Sequence, residues 1–147
     1  MYPIDIVLPW VDGSDPSWLE IKKEFSPQSK GDDDSIRYRD FENLKYIFRG
    51  IELYMPWVRT IHFITWGHIP DFLNTKHPKI NIVRHEDFIP KEYLPTFSSH
   101  TIELNLHRIE ELAEHFIYFN DDTFIMKHLD PEFFFKDGLP CDQATFD

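Results

Sequence analysis

The chain has 147 residues, of which 41% are hydrophobic and 16% aromatic, enough to build the core of one folded domain without disulfide or metal staples. Its formal net charge of −11 argues against a nucleic-acid partner, because binding to phosphate backbones needs a surplus of lysine and arginine. No apolar stretch reaches the about 20 residues of a membrane span, no secretory signal is recognisable and Cys141 is the only cysteine, so a cytoplasmic protein is predicted.

The first predicted strand spans residues 4–10, an apolar run that stops at the turn-rich sequence Asp12-Gly13-Ser14-Asp15-Pro16. Pro16 suits the first turn of a helix, and Ser14 or Asp15 is placed to cap it. Residues 26–36 are too polar to pack and are predicted to form a mobile surface loop. The chain therefore begins with a strand, a polar loop and a short helix.

Strands and helices alternate through the rest of the sequence. A helix is predicted to begin near Asp40 and to end at Pro56, and strands are predicted at residues 58–65 and 80–83, with one or two helical turns at 69–74. A long amphipathic helix capped by Ser98 or Ser99 then precedes a last strand at 116–119. Its buried stripe consists of Ile102, Leu106, Ile109, Leu112 and Ala113. This alternation predicts one α/β domain over residues 1–147, with helices on both faces of a mostly parallel sheet.

The polar sequence Asn120-Asp121-Asp122 follows the last predicted strand directly. Ligands of open α/β sheets bind beyond the carboxyl ends of the strands, where the loop after the first strand is also expected. Adjacent carboxylates repel one another unless they are hydrated, paired or bound to a cation, and they are ligands that Mg²⁺ or Mn²⁺ prefers. Asp121 and Asp122 are therefore the candidate metal ligands. The alternative is an ordinary turn, which Asn and Asp favour.

The loop after the first strand is the second candidate site. Its residues Asp12, Gly13, Ser14 and Asp15 are polar and flexible enough to contact a substrate. The same residues also make a good entry to a helix, and the sequence favours neither interpretation. Arg37 and Arg39 form a third candidate, because two guanidinium groups just before a helix suit a pyrophosphate. The alternative for them is solvation at the surface.

The polar face of the long helix is the fourth candidate. His100, Glu103 and His107 lie three and four residues apart, with Arg108 beside them. Such a face suits a general base, a phosphate clamp or, less well because of its spacing, a zinc ion, and the alternative is a plain solvated surface. The remaining histidines show no shared spacing and are interpreted as structural or surface groups. They are His62, His68, His77, His85, His115 and His128.

These segments together resemble the Stealth family of bacterial capsular and exopolysaccharide phosphotransferases, which are related to the catalytic subunit of N-acetylglucosamine-1-phosphotransferase. Residues 4–7 and 10–16 resemble the family's first conserved block. The segments that resemble the second block are residues 37–40, 44–46, 56–59, 94–100, 103–109 and 118–122. The family's later blocks are not present, so the chain is expected to be a truncated part of a longer protein with little or no turnover alone.

The resemblance implies a nucleotide-sugar-transferase-like fold of the Rossmann or GT-A kind. It implies transfer of hexose 1-phosphate from a UDP-sugar to a hydroxyl of an acceptor sugar, with release of UMP, and association with a membrane only through other parts of a polysaccharide assembly system. In that reaction Mg²⁺ or Mn²⁺ is held by Asp121 and Asp122. Phosphoryl oxygens are held by Arg37, Arg39 and Arg108, the donor also contacts Asn120 and the loop from Asp12 to Asp15, and His100 or His107 is the base.

Two other functions stay open at this point. A conventional metal-dependent glycosyltransferase needs the same diphosphate site but releases UDP instead of UMP. A non-catalytic fragment that binds sugars or a partner protein would agree with the missing later blocks.

Overall fold

The structure, a computed structural model, describes residues 2–25 and 43–142. The predicted loop at 26–36, together with Arg37, Arg39 and the expected helix start near Asp40, lies outside these residues. Within them the main sheet has four strands, all parallel, in the order β3-β2-β1-β4. The strands are β1 Ile4–Pro9, β2 Ile61–Thr65, β3 Ile80–Arg84 and β4 His115–Tyr118. The predicted parallel α/β class is confirmed.

Four α-helices and a small hairpin complete the described part of the chain. The helices are α1 Pro16–Phe25, α2 Leu44–Tyr54, α3 His85–Phe88 and α4 Ser99–Asn105, and short 3₁₀ turns span Lys91–Tyr93, Leu106–Arg108 and Pro131–Phe133. Strands β5 Phe135–Lys136 and β6 Leu139–Pro140 pair antiparallel. No helix within residues 2–25 and 43–142 is long and apolar enough to cross a membrane.

Both faces of the sheet are covered, as predicted. On one face, Ile6, Leu8 and Phe63 pack against α2. On the other, Val7, Ile64 and Val83 pack against residues of α3, of the segment after it and of the 3₁₀ turn after α4. Strands buried on both faces appear in a sequence as continuous apolar runs, which explains why β1 and β2 could be recognised.

Helix α2 comes unusually close to the chain that follows β4. A Cβ atom added at Gly50 would lie 3.2 Å from the carbonyl oxygen of Ile125, which is itself buried. The residue at position 50 therefore has little room for a side chain. Because α2 is packed on the sheet, this contact fixes the position of the segment after β4 relative to the strands.

A buried polar network joins the strands at the amino end of the sheet. Asp5 in β1 is fully buried. Its carboxylate accepts hydrogen bonds from Arg59 Nε at 2.8 Å and Arg59 Nη2 at 2.5 Å, and from the backbone N–H of Ala113 at 2.8 Å. His62 Nε2 lies 3.1 Å from the same carboxylate, and the other ring nitrogen of His62 lies 3.0 Å from the amide of Asn81.

This network ties β1, β2 and β3 to the segment before β4. Burial raises the pKa of Asp5, but the hydrogen bonds from Arg59, Ala113 and His62 together lower it more, so its pKa lies below the ordinary value. The guanidinium of Arg59 also donates to the carbonyl of Glu111, a residue with a left-handed backbone (φ 64°). Asp5 is thus held as a paired carboxylate.

Three predicted elements differ from the structure. The strand expected at 58–65 begins only at Ile61, because Val58 closes a turn with its N–H bonded to the carbonyl of Met55. The prediction of helical turns at 69–74 is wrong. This segment contains a non-helical turn, in which the N–H of Leu73 donates to the carbonyl of Pro70. The long helix expected from 98 or 99 through 113 ends as an α-helix at Asn105.

Candidate functional site

The strand order reverses at β1, with β2 and β3 on one side and β4 on the other. In open α/β sheets this reversal opens a crevice at the carboxyl ends of the strands, where ligands bind. Val7 of β1 pairs with Tyr118 of β4, and the N–H of Phe119 donates to the Val7 carbonyl at 2.9 Å. The loops after β1 and after β4 therefore leave the sheet side by side at the reversal, as the sequence predicted.

The loop after β1 is built as a helix entry. Oδ1 of Asp12 accepts hydrogen bonds from the backbone N–H of Ser14 at 2.9 Å and from its hydroxyl at 2.6 Å. Oδ1 of Asp15 accepts from the N–H of Trp18 at 2.9 Å and from the hydroxyl of Ser17 at 2.5 Å. Asp15 is therefore the cap of α1. Substrate contacts by Asp12, Gly13, Ser14 and Asp15 stay a prediction.

The second oxygen of Asp15 faces a histidine from the neighbouring strand. His68, three residues beyond β2, places Nδ1 3.7 Å from Asp15 Oδ2. The hydrogen bonds from Ser17 and Trp18, with a smaller contribution from His68, lower the pKa of Asp15. Asp15 thus stays ionised and links the loops after β1 and β2.

The acidic pair after β4 lies in an exposed turn. The N–H of Thr123 donates to the carbonyl of Asn120 at 3.1 Å, which closes the turn through the backbone. Asn120, Asp121 and Asp122 are all exposed, whereas Phe119 before them and Ile125 after them are buried. The turn that was the alternative prediction therefore forms here. Asp121 and Asp122 are both exposed in it, beside the point where the strand order reverses.

Helix α4 reaches this edge of the sheet through Glu103. The hydroxyl of Tyr118, the last residue of β4, donates to Glu103 Oε1 at 3.2 Å. Burial raises the pKa of Tyr118, and the negative charges of Glu103 and Asp121 raise it further. The end of β4 therefore lies close to two negatively charged side chains, those of Glu103 and Asp121.

The other predicted residues of this helix are arranged differently from the expectation. His100 lies in α4, but His107 and Arg108 belong to the 3₁₀ turn Leu106–Arg108, so one continuous α-helical face does not join them. The buried side chain of Asn105 donates to the carbonyl of Thr101 at 2.9 Å, a bond of the kind that competes with helical hydrogen bonding. His100, His107 and Arg108 are exposed, and their catalytic roles stay predictions.

The acidic turn suits a metal ion that is shared with a ligand. Among residues 2–25 and 43–142, no group of three or more His, Cys, Asp and Glu side chains is arranged to hold a metal, so the zinc alternative for His100, Glu103 and His107 finds no support. Mg²⁺ is commonly held by one or two carboxylates together with substrate phosphates and water. The accessible pair Asp121 and Asp122 fits that mode, with the phosphates supplied by the ligand.

Further side chains lie at this edge of the sheet. The sequence interprets His68 and His85 as structural or surface groups and does not single out Trp66 and Tyr118 as candidate site residues, and these interpretations stay predictions. Each of them lies at the end of a predicted strand or within three residues of it, which is the signal that could have found them.

The fold defines an open parallel α/β domain whose strand order reverses beside β1, the place where ligands of such sheets bind. Comparison with protein families gives the particular family. Residues 2–30 match Stealth protein conserved region 1, and residues 37–142 match Stealth protein conserved region 2. The chain belongs to the Stealth family, as its sequence blocks suggested.

Curated relatives cover nearly the whole chain. A capsular polysaccharide phosphotransferase of Streptococcus pneumoniae is 52% identical over 139 residues, which are 93% of this chain and 42% of that protein. Another, from Streptococcus thermophilus, is 44% identical over 93% of this chain and 59% of its own length. An exopolysaccharide phosphotransferase of Lactiplantibacillus plantarum is 42% identical over 98% of this chain and 43% of its own length. The chain spans about two fifths to three fifths of these relatives.

Proposed function

We propose that this chain is part of a transferase that moves hexose 1-phosphate from a UDP-sugar to a hydroxyl of an acceptor sugar during synthesis of a capsular or extracellular polysaccharide. The observation that carries the proposal is the accessible pair Asp121 and Asp122 at the strand-order reversal of a Stealth-family domain. The names of the relatives, all polysaccharide phosphotransferases, support the reaction class and the type of product.

The proposed reaction forms one bond to phosphorus and breaks another. The acceptor oxygen attacks the phosphorus next to the hexose, the bond to the bridging oxygen of the diphosphate breaks, and UMP leaves with that oxygen. The hexose keeps its bond to its own phosphate oxygen. Charge accumulates on the phosphoryl oxygens and on UMP, so the reaction needs positive charge at both and a base for the acceptor proton.

The residues at the carboxyl edge are assigned to these needs. Asp121 and Asp122 would hold Mg²⁺ or Mn²⁺, which supplies charge neutralisation at the diphosphate when bound. Arg108 would hold phosphoryl oxygens, with Arg37 and Arg39, which lie outside the described residues. His100 or His107 would take the acceptor proton, and Asn120 with the Asp12 to Asp15 loop would contact the donor. We further propose that the reaction takes place in the cytoplasm.

Binding and product analysis test this function. Mg²⁺ together with UDP is expected to raise the melting temperature of the complete natural protein. Asp122→Asn should abolish that rise while leaving the melting temperature without ligand within about 1 °C, since the side chain is exposed. Asp71→Asn, an exposed change in the turn after β2, is the matched control and should keep the full rise. No rise in the unmodified complete protein would contradict a metal–diphosphate site.

The leaving nucleotide separates the proposed reaction from its rivals. The complete natural protein, incubated with UDP-hexoses and a glycan acceptor, should release UMP and form a phosphodiester visible by ³¹P NMR. Release of UDP instead would indicate a conventional glycosyltransferase. Ligand binding without any turnover would favour a non-catalytic sugar-binding protein.

A further inference from the structure

Strand β4 is paired on one side only. In the described part of the chain it pairs with β1 and with no other strand, and the N–H of Phe119 after it donates to the carbonyl of Val7. The backbone groups of successive residues in a strand point to alternate sides, so those of Phe116 and Tyr118 face away from β1. Within the described residues their N–H groups have no hydrogen-bond partner.

The sequence of β4 is typical of a strand inside a sheet. Phe116, Ile117 and Tyr118 are consecutive large side chains, and they pack on both faces, Ile117 on the α2 side and the other two on the opposite side. Continuous apolar strands are normally buried on both faces, whereas natural edge strands carry charges or proline that discourage pairing. Strand β4 contains neither, and its four residues are half-buried although β1 and β2 are almost wholly buried.

The opposite edge of the sheet, formed by β3, is protected. Ile80, Ile82 and Arg84 face away from β2 by the same alternation. The N–H of Ile80 donates to the carbonyl of His77 at 2.9 Å. The N–H of Arg84 donates to Oδ2 of Asp87 at 2.7 Å, and its side chain adds a charge. Local bonds and a charge therefore make β3 a poor template for another strand, unlike β4.

The strand order also points to β4 as the place where the sheet continues. The order β3-β2-β1-β4 corresponds to the first four strands of the doubly wound order 3-2-1-4-5-6, in which a fifth strand lies beside the fourth. Strand β5 of this chain does not take that place, because it pairs with β6 in a separate hairpin. The Streptococcus pneumoniae relative matches 93% of this chain with 42% of its own length, so a protein of this family has further chain that can supply the strand.

We propose that the open edge of β4 binds an apolar strand from a part of the complete natural protein outside this chain. The strand pairs with the backbone of Phe116 and Tyr118 and completes the burial of β4. If it runs parallel to β4, as the other strands of the sheet do, it ends beside Asp121 and Asp122 and brings its own loop to that edge. The pairing concerns assembly of the domain and does not depend on the proposed transfer reaction.

Residue-resolved hydrogen exchange of the complete natural protein tests the pairing. The amides of Phe116 and Tyr118 are expected to exchange about 100-fold or more slowly than that of Ile82, because a paired amide exchanges only when the structure opens. The amide of Phe119, bonded to Val7, is the protected reference. Exchange of Phe116 and Tyr118 as fast as that of Ile82 would overturn the proposal. Protection that disappears on dilution, together with a dimer in size-exclusion chromatography, would identify a second copy as the occupant and would overturn it too.

Proline variants of the complete natural protein give a second readout. Proline lacks the N–H and is tolerated in an edge strand where that group faces solvent. Phe116→Pro should therefore melt lower than Phe116→Ala by about 2–4 °C more than Ile82→Pro does relative to Ile82→Ala, the shift expected for one lost hydrogen bond. Equal differences at the two edges would contradict strand addition at β4. Neither experiment contains UDP or Mg²⁺, so a failure here would leave the proposed function standing.

Discussion

The two ends of the parallel sheet differ in whether their buried polar side chains are paired. At the amino end, Asp5 is fully buried, and its carboxylate is paired with Arg59, His62 and the backbone of Ala113. At the carboxyl end, His68 and His85 keep buried nitrogens that have no hydrogen-bond partner within residues 2–25 and 43–142. Paired buried groups stabilise a fold, whereas unpaired ones cost stability and tend to mark functional sites. The amino end therefore holds a paired network that joins the strands, and the carboxyl end is the edge at which the ligand site is proposed.

The largest expected effect is on the amino end. Asp5→Ala removes the shared partner of Arg59, His62 and the Ala113 N–H, and leaves His62 and the Ala113 N–H buried without it, which costs about 1–3 kcal/mol each. The free energy of unfolding from urea titration should fall by that amount. Asp71→Ala, at an exposed aspartate, should change it by less than about 0.5 kcal/mol. A similarly small loss for Asp5→Ala would remove the contrast between the two ends.

An acid titration should show the cost of burying the imidazole of His85 at the carboxyl end. The folded-state pKa of His85 is about 4, below its ordinary 6.5, so the unfolded chain binds a proton more readily than the folded one between these values. The stability from this group is complete above pH 6.5 and falls as the pH drops toward 4, by about 3 kcal/mol.

The variant His85→Leu isolates this effect. Its stability should be close to that of the unmodified chain at pH 7 and higher at pH 4.5, as measured by urea unfolding at both values. His128→Gln, which changes an exposed histidine, should follow the unmodified chain at both. Parallel pH profiles for His85→Leu and the unmodified chain would show that His85 is not kept neutral by burial.

The smallest effect concerns a residue of the carboxyl end that also has a structural role. Asp15→Ala removes the cap of α1, for which a loss of about 1 kcal/mol in unfolding free energy is expected. Asp15→Asn, which retains an oxygen for the Trp18 N–H, should lose less. If both variants keep full stability, the loop after β1 belongs wholly to the ligand site.

The sequence predicted the parts of the fold that depend on local patterns. The apolar runs of β1 and β2 predicted buried strands, and the spacing of Leu44, Ile47 and Ile51 predicted the face of α2 that packs on the sheet. The polar turns after β1 and β4 were predicted to meet at one edge because parallel strands share their direction.

The sequence could not predict features that depend on distant residues. Asp5 and Arg59 are 54 residues apart, and nothing near either of them indicates a buried ion pair. The early end of α4 coincides with a hydrogen bond from the side chain of Asn105 to the carbonyl of Thr101, which apolar spacing does not reveal. His68 and His85 come together only because β2 and β3 are neighbours in the sheet. Contacts between neighbouring strands cannot be predicted from the sequence of one segment alone.

The contact between Gly50 and the carbonyl of Ile125 has a consequence for how the acidic turn behaves. Phe119 and Ile125 are both buried and anchor the two ends of the five residues between them. Helix α2 packs closely against the second of these anchors, Ile125. The carboxylates of Asp121 and Asp122 are thus presented from a short span that is anchored at both ends and would lose little freedom on binding a cation. A larger residue at position 50 would therefore shift Ile125 and alter the acidic turn from a distance.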